Sequence, residues 1–557
     1  MESQYAQDLF AHIPKLQNTR VTAVLMMRLI LSARHLNNKE KNMMKKSFQS
    51  IIIAAICMTI SSVTVSASDS CEALASLKIK DGKIDTATIV EAGQFKPPAG
   101  GFMMGGPGGM NPFQNTPAFC RVTATLIPTA DSDIKIEVWM PKDNWNGKLV
   151  GIGNGVWAGT ISHSAMAEPL EKGYATVATD TGHVGTGMDA KWAVGHKEKL
   201  VDFGYRAVHE MTVKAKEILA AYYGKKEDKA FWVSCSTGGR QGLMAAYRYP
   251  DDFNGISSMA PANPMVGLMI SSLWSGYVSL RDDAHKLTPA QLMLSNKAFI
   301  DKCDDVDGVK DGLVSWPELC SYDPGVIQCK DGDQGSCLTA PQLEALRDIY
   351  GGVKNPRTGE LVFSGFTPGS EQMLAMLAAG PEPFAGATSY FRDIVFGDPN
   401  WDFKSFDYDK DLAAAYKAGS DILDVPPDGL SKFFNGGGKL LLSHGWADGL
   451  IPAANTVAFY KTMTEKIDKA ADSARLFMIP GMGHCAGGTG PNVVDMLSVI
   501  DTWVTEGKAP ETIIATTAPA PGQKQMTRPL CPYPKVAVYK GRGSTDDAAN
   551  FECKVNK

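Results

Sequence analysis

Phe231-Trp-Val-Ser-Cys-Ser-Thr-Gly-Gly-Arg240 is the stretch whose reading decides the fold. Ala230 to Val233 is an apolar run of strand length, and the small residues after it make a sharp turn. A helix is expected from about residue 238. Ser236 sits at the apex, where a strand–turn–helix corner lifts a hydroxyl clear of the chain. Residues around such a corner must be small, because the backbone passes close to itself; the usual pattern is G-x-S-x-G. Here Ser234 replaces the first glycine and Gly238 keeps the second. A serine that merely caps a helix carries similar letters, so the flanking elements must decide.

Working outward, Lys148-Leu-Val-Gly-Ile152 reads as a strand running into the glycine loop Gly151–Val156, and Tyr174–Thr179 as another strand. Residues 201–223 have helical periodicity through Val208, Met211, Ala215, Leu219 and Tyr222. Gly255–Met259 is the next strand. Strands alternating with helices imply parallel pairing through crossover helices. The pattern stops over 262–430, which reads as loop-rich, with four cysteines and an acidic cluster. It resumes at Lys439–Ser443 and Arg475–Ile479, with a closing helix over 492–506. The expected fold class is α/β, an α/β-hydrolase fold in two parts, 68–261 and 431–557, with 262–430 as a large inserted lid. Residues 99–109 read as a flexible glycine-rich surface loop, and there is no internal repeat.

A hydroxyl is a poor nucleophile near neutral pH and needs a base and an orienting acid. In this fold the chain order is Ser, acid, His. Ser443-His-Gly-Trp-Ala-Asp448 follows one strand and offers Asp448; Pro480-Gly-Met-Gly-His484 follows the next and offers His484. Both lie where open α/β sheets place their ligands, at the C-terminal ends of strands. His444 competes as the base but reads as structural, since it stands at the strand end before the acid loop. His163, His183, His196, His209 and His285 have no comparable placement. The oxyanion of acyl transfer needs backbone donors. Thr237 N–H, next to the nucleophile, is one candidate; the other comes from the glycine loop, at Gly155 or Val156.

The N-terminus reads as an address rather than as fold. Lys45 and Lys46 precede an apolar run from Ile51 to Ile60, and Val65-Ser-Ala67 is a small-x-small cleavage site. The run is too short to span a bilayer. We read 1–67 as a signal peptide whose start is set too far upstream, with Met43 or Met44 as the natural beginning. Those residues hold eight Lys/Arg and three Asp/Glu, so a chain of net charge -5 becomes one of about -10 after their removal. That acidity argues against a nucleic-acid partner. Beyond Cys57 in the leader there are ten cysteines, an even set that reads as disulfides in a secreted or periplasmic protein. There is no C-x-x-C pair, so zinc is not expected.

At this point the chain resembles the tannase and feruloyl esterase family over almost all of its mature length. The resemblance rests on Cys235-Ser236, on Asp448 in His-Gly-Trp-Ala-Asp, on Gly-Met-Gly-His484-Cys485-Ala-Gly-Gly, and on Arg528-Pro-Leu-Cys-Pro-Tyr-Pro534. Ser234 and Val156 depart from it, each standing where a glycine is common. It implies hydrolysis of small-molecule aromatic esters, hydroxycinnamoyl or galloyl, through an acyl-enzyme. It also implies a bond between Cys235 and Cys485, and a calcium site within the lid. The remaining cysteines are assigned as Cys71–Cys120, Cys303–Cys320, Cys329–Cys337 and Cys531–Cys553. Cys303-Asp-Asp-Val-Asp-Gly-Val-Lys-Asp-Gly-Leu313 matches the family's calcium loop, with Asp304, Asp307 and Asp311 as carboxylate ligands and Val309 and Leu313 as carbonyl ligands. Hard oxygens at this spacing suit calcium, although the loop is no EF-hand. Two other readings are a hydrolase of terephthalate monoesters and a secreted binding protein that has lost catalysis. The intact Ser, Asp and His speak against the latter.

Overall fold

Alternation along the central strands builds the two faces of one sheet. Trp232 and Leu442 point into one apolar layer, while their neighbours Phe231 and Leu441 point into the other. Both faces are therefore covered, as a parallel sheet requires. The computed structural model describes residues 70–98, 111–330, 336–518 and 525–555. The expected leader over 1–67 and the glycine-rich loop 99–109 both lie outside the described residues. The described residues all fall within one compact unit.

The sheet has nine strands: β1 (Gly82–Val90), β2 (Phe119–Leu126), β3 (Ile134–Pro141), β4 (Lys148–Ile152), β5 (Ala175–Thr179), β6 (Lys229–Cys235), β7 (Gly255–Met259), β8 (Lys439–Gly445) and β9 (Ala474–Ile479). Their spatial order is β1-β2-β3-β5-β4-β6-β7-β8-β9. The first three strands and β5 pair antiparallel, and from β5 onward every pairing is parallel. This is an α/β-hydrolase sheet. The helices are α1 (His163–Glu171), α2 (Ala207–Tyr223), α3 (Thr237–Arg248), α4 (Met265–Leu280), α5 (Pro289–Cys303), α6 (Ala340–Gly351), α7 (Glu371–Ala378), α8 (Leu412–Leu423), α9 (Ala453–Lys466) and α10 (Met496–Glu506), with several shorter turns besides. Helices α2, α3 and α9 cover one face; α1 and α10 cover the other.

Two expectations need correction. The section 262–430 is not loop-rich: α4 to α8 all lie in it. Helix α4 is buried on nearly every side, through Met265, Ile270, Leu273, Val278 and even Ser271, Ser275 and Ser279. A helix with no wet face shows no apolar period in sequence. The expected helix over 201–223 is interrupted: Asp202–Arg206 forms a wider π turn before α2 begins. Five disulfides close the described chain, joining Cys71–Cys120, Cys235–Cys485, Cys303–Cys320, Cys329–Cys337 and Cys531–Cys553, as assigned.

Candidate active site

Strand β6 ends at Cys235, α3 begins at Thr237, and Ser236 between them is held at φ 63° and ψ -126°. A side chain other than glycine's seldom adopts that conformation, and it persists only where neighbours enforce it. Here Ser236 N–H donates to Met259 O at 3.0 Å, and Ser236 O accepts from Arg240 N and Ala262 N, each at 3.0 Å. The corner is therefore anchored to β7, to its own helix and to the first residues of the insertion. Gly238 is required: a Cβ there would overlap Ser234 Oγ. Ser234 thus fits at the departed position only because its partner is glycine. Gly153 is equally constrained, since its Cβ would lie 2.5 Å from Gly238 Cα.

That contact brings the glycine loop after β4 against the first turn of α3. Thr237 Oγ1 donates to Val156 O at 3.0 Å. Gln241 braces the same loop, accepting Asn154 N–H at 3.2 Å and donating to Asn154 Oδ1 at 3.0 Å. Asn154 Nδ2 in turn donates to Ala158 O at 2.7 Å. Val156 sits at φ 46°, so the valine occupies backbone space that glycine takes freely. Its side chain and Phe384 both reach Gly386 of the insertion, which puts apolar surface beside the loop. Gln241 and Asn154 carry no sequence signal of this role.

Asp448 and His484 come together from the loops after β8 and β9. His484 Nδ1 lies 2.7 Å from Asp448 Oδ2. Asp448 is fully buried. Its Oδ1 accepts Leu450 N–H and Ile451 N–H, both at 2.9 Å. Burial alone would raise its carboxyl, but the charge of His484 and the bonds from His444 and His484 outweigh it, and the group stays well below the usual carboxylate range. His484 N–H donates to Met373 Sδ at 3.1 Å, so α7 of the insertion rests directly on the base loop. No sequence pattern announced Met373. The Cys235–Cys485 bond ties the residue before Ser236 to the residue after His484, and a ring nitrogen of His484 lies within 4.8 Å of both sulfurs. Among the described residues, His444 also reaches Asp448, and the remaining five histidines are occupied elsewhere. His163 pairs with Glu137, His196 with Asp131, His209 with Asp252 and His285 with Asp282. His183 binds Trp157 O at 2.8 Å.

In the acidic loop, Asp304 Oδ1 accepts the N–H groups of Asp311 and Gly312 at 3.2 and 2.8 Å. Asp307 Oδ1 accepts Val309 N–H, and Asp311 Oδ1 accepts Leu313 N–H. Asp311 Oδ2 is also bound by Arg528 at 2.5 Å. Three carboxylates against one guanidinium leave negative charge in a half-buried loop, and burial pushes Asp307 and Asp311 up. Hard oxygens and excess negative charge fit a calcium ion by donor chemistry. Their oxygens are spread along the loop: among the described residues, the ligating trio within 4.8 Å of one another is Cys235, His484 and Cys485, whose sulfurs are locked in the disulfide.

The family model described as tannase and feruloyl esterase matches residues 120–554. An uncharacterized esterase of Xanthomonas campestris is 35% identical over 540 residues, covering 88% of this chain and 92% of the relative. A probable feruloyl esterase B-2 of Aspergillus terreus is 33% identical over 462 residues, covering 78% of this chain and 86% of its own. The crystal structure of feruloyl esterase B from Aspergillus oryzae aligns with a TM-score of 0.79 at 29% identity, over 87% of this chain and 99% of that one. With a match over most of its length, and with a serine corner, a buried acid and a histidine in the order its sheet demands, the chain belongs to the tannase and feruloyl esterase family and is a carboxylic ester hydrolase.

Proposed function

We propose that the chain is an exported serine esterase that cleaves hydroxycinnamoyl or galloyl esters through Ser236, His484 and Asp448. One observation carries the reading: His484 Nδ1 is 2.7 Å from buried Asp448 Oδ2, while a disulfide binds the base loop to the residue before Ser236. With Nδ1–H donated to Asp448, the neutral imidazole leaves Nε2 as a base. His484 takes the Ser236 proton, and Ser236 Oγ attacks the ester carbonyl. The oxyanion is held by Thr237 N–H at the positive end of α3 and by a donor from Gly155 or Val156. The C–O bond to the alcohol then breaks, with His484 returning its proton to the leaving oxygen. Water, deprotonated by His484, cleaves the acyl-enzyme and frees the acid and Ser236. Val156, Phe384 and Met373 make the nearby surface apolar, which favours an aromatic acyl group, and the relatives' names point the same way. Five disulfides favour an oxidising compartment. Calcium would be held by Asp304, Asp307 and Asp311 with the carbonyls of Val309 and Leu313; it supplies rigidity, and no step passes through it.

The test is a substrate panel of methyl ferulate, methyl gallate, a terephthalate monoester and p-nitrophenyl acetate, run on the wild type, Ser236→Ala and His484→Ala. The two neutral aromatic esters should have the highest kcat/KM. Each variant should lose at least about a thousandfold in kcat while melting near the wild-type temperature. Near-normal turnover by folded Ser236→Ala removes the nucleophile assignment. A terephthalate monoester that outperforms methyl ferulate removes the substrate class.

A further inference from the structure

His444 stands at the end of β8 with its ring fully buried. Its Nε2 lies 3.0 Å from Asp448 Oδ2 and 3.1 Å from Ile451 O. Both partners are acceptors, so this nitrogen carries a proton in either charge state of the ring. Nδ1 lies 2.8 Å from Thr456 Oγ1, whose hydroxyl can donate to a neutral ring. The neutral Nε2–H form thus satisfies all three partners without a second buried charge. The same Oδ2 also receives His484 Nδ1. Two imidazoles therefore share one oxygen of one buried carboxylate.

We propose that His444 is a positioning residue for the triad: its Nε2–H fixes the Asp448 carboxylate and moderates that carboxylate's hold on His484. The proposal rests on the triad reading above. Oδ1 is fixed by two backbone amides, and His444 fixes the oxygen that they leave free to swing. An oxygen with two donors gives less to each than an oxygen with one. Removing the His444 donor would return Oδ2 wholly to His484 and favour its protonated form. The acidic limb of the pH–rate profile, set by deprotonation of the base, should then move to higher pH.

The surroundings hold few competing charges. Helix α9 contributes Thr456, and the elbow and base loop contribute the Cys235–Cys485 bond. Helix α7 presents Met373 to His484, while its acid, Glu371, is engaged by Tyr350, Asn296 and Gly369 N–H.

The experiment measures kcat, KM, the pH profile and the melting temperature for His444→Leu, His444→Gln and Thr456→Val, with Ser236→Ala alongside. His444→Leu should lower kcat roughly ten- to a hundredfold, because the imidazole loses its orientation. KM should change by no more than about twofold, since no ground-state contact with substrate is lost. The acidic limb should rise by about 0.5 to 1 unit, the worth of one hydrogen bond. His444→Gln, which returns an N–H donor at similar reach, should recover much of both effects. Thr456→Val should shift the limb the same way by less. A folded His444→Leu with wild-type kcat and limb overturns the proposal. So do Leu and Gln variants that are equally impaired with unmoved limbs. If His444→Leu fails to fold, an unmoved limb in Thr456→Val overturns it. An active Ser236→Ala would instead bring down the triad reading.

Discussion

Asp180 follows β5 with its carboxylate buried, and its partners are the backbone amides of Lys135 at 2.9 Å and Gly182 at 2.8 Å. Burial pushes its carboxyl from 3.8 up to about 7 despite those bonds. The unfolded chain therefore loses this proton near 3.8 while the folded chain holds it to about 7. Between those values the folded state binds more protons, so stability falls as pH rises through the window and the penalty is complete above it. Asp180→Asn keeps an acceptor for the two amides and removes the charge. It should gain up to about 4 kcal/mol at pH 8 and almost nothing at pH 4. Melting curves at both values decide it, and an equal difference at the two pH values sinks the argument. At this scale the sequence was legible where chemistry restricts the choice. Ser236, Asp448 and His484 stand on the expected corners because an attacking hydroxyl needs a base and an acid in one chain order. Met373, Gln241 and Thr456 were not legible, because a thioether, an amide and a hydroxyl serve many places equally well.

The pairing of β6 with the loop after β9 makes the site a joint between two elements 250 residues apart in sequence, closed by Cys235–Cys485. The disulfide restricts the unfolded chain, nominally by about 5 kcal/mol for so long a loop, with real values often lower. It also limits drift of the imidazole, and small misplacements can cost about a hundredfold in rate. Replacing both cysteines with alanine should lower kcat by more than it raises KM. The same change at Cys329 and Cys337, which close only eight residues, should act on stability alone. A double Cys235/Cys485 variant with wild-type kcat and a lower melting temperature would reduce the bond to a staple. The strands around this joint were read to within two residues of their ends, since β4 to β9 are short apolar runs bounded by turns. Strands β1 to β3 went unread. In β1, Thr86 and Thr88 interrupt the apolar pattern, and as an antiparallel edge strand it buries little. Strands β2 and β3 are mostly buried, with Arg121, Thr123, Lys135 and Glu137 breaking up their apolar letters. The section 262–430 runs between β7 and β8, and of its helices only α4 is hidden by burial nearly all round. Helices α5, α6 and α8 each keep an exposed face, so their apolar period went unread among the turns that surround them.

Across the whole molecule, the acidic loop is a bracket between distant parts. It begins at the end of α5, is closed by Cys303–Cys320, and is joined through Asp311–Arg528 to the C-terminal segment. Its Leu313 side chain lies against Gly481, three residues before His484, and a cavity of about 280 Å³ separates Gly312–Val314 from the rest of the base loop. If calcium is the ion that balances Asp304, Asp307 and Asp311, its removal should loosen this bracket rather than stop the chemistry at once. An ion that binds only the folded state adds stability by mass action, about 2.7 kcal/mol at a hundred times its dissociation constant. A chelator should therefore lower the melting temperature by a few degrees, and added calcium should restore it in proportion to the logarithm of its concentration. Activity well below the melting range should persist in chelator and decay only on the timescale of unfolding. Asp307→Asn should lower the melting temperature in calcium and abolish most of the chelator's effect. Instant loss of turnover at an unchanged melting temperature would place the metal in the reaction, because only an ion at the reacting atoms can stop chemistry without loosening the fold.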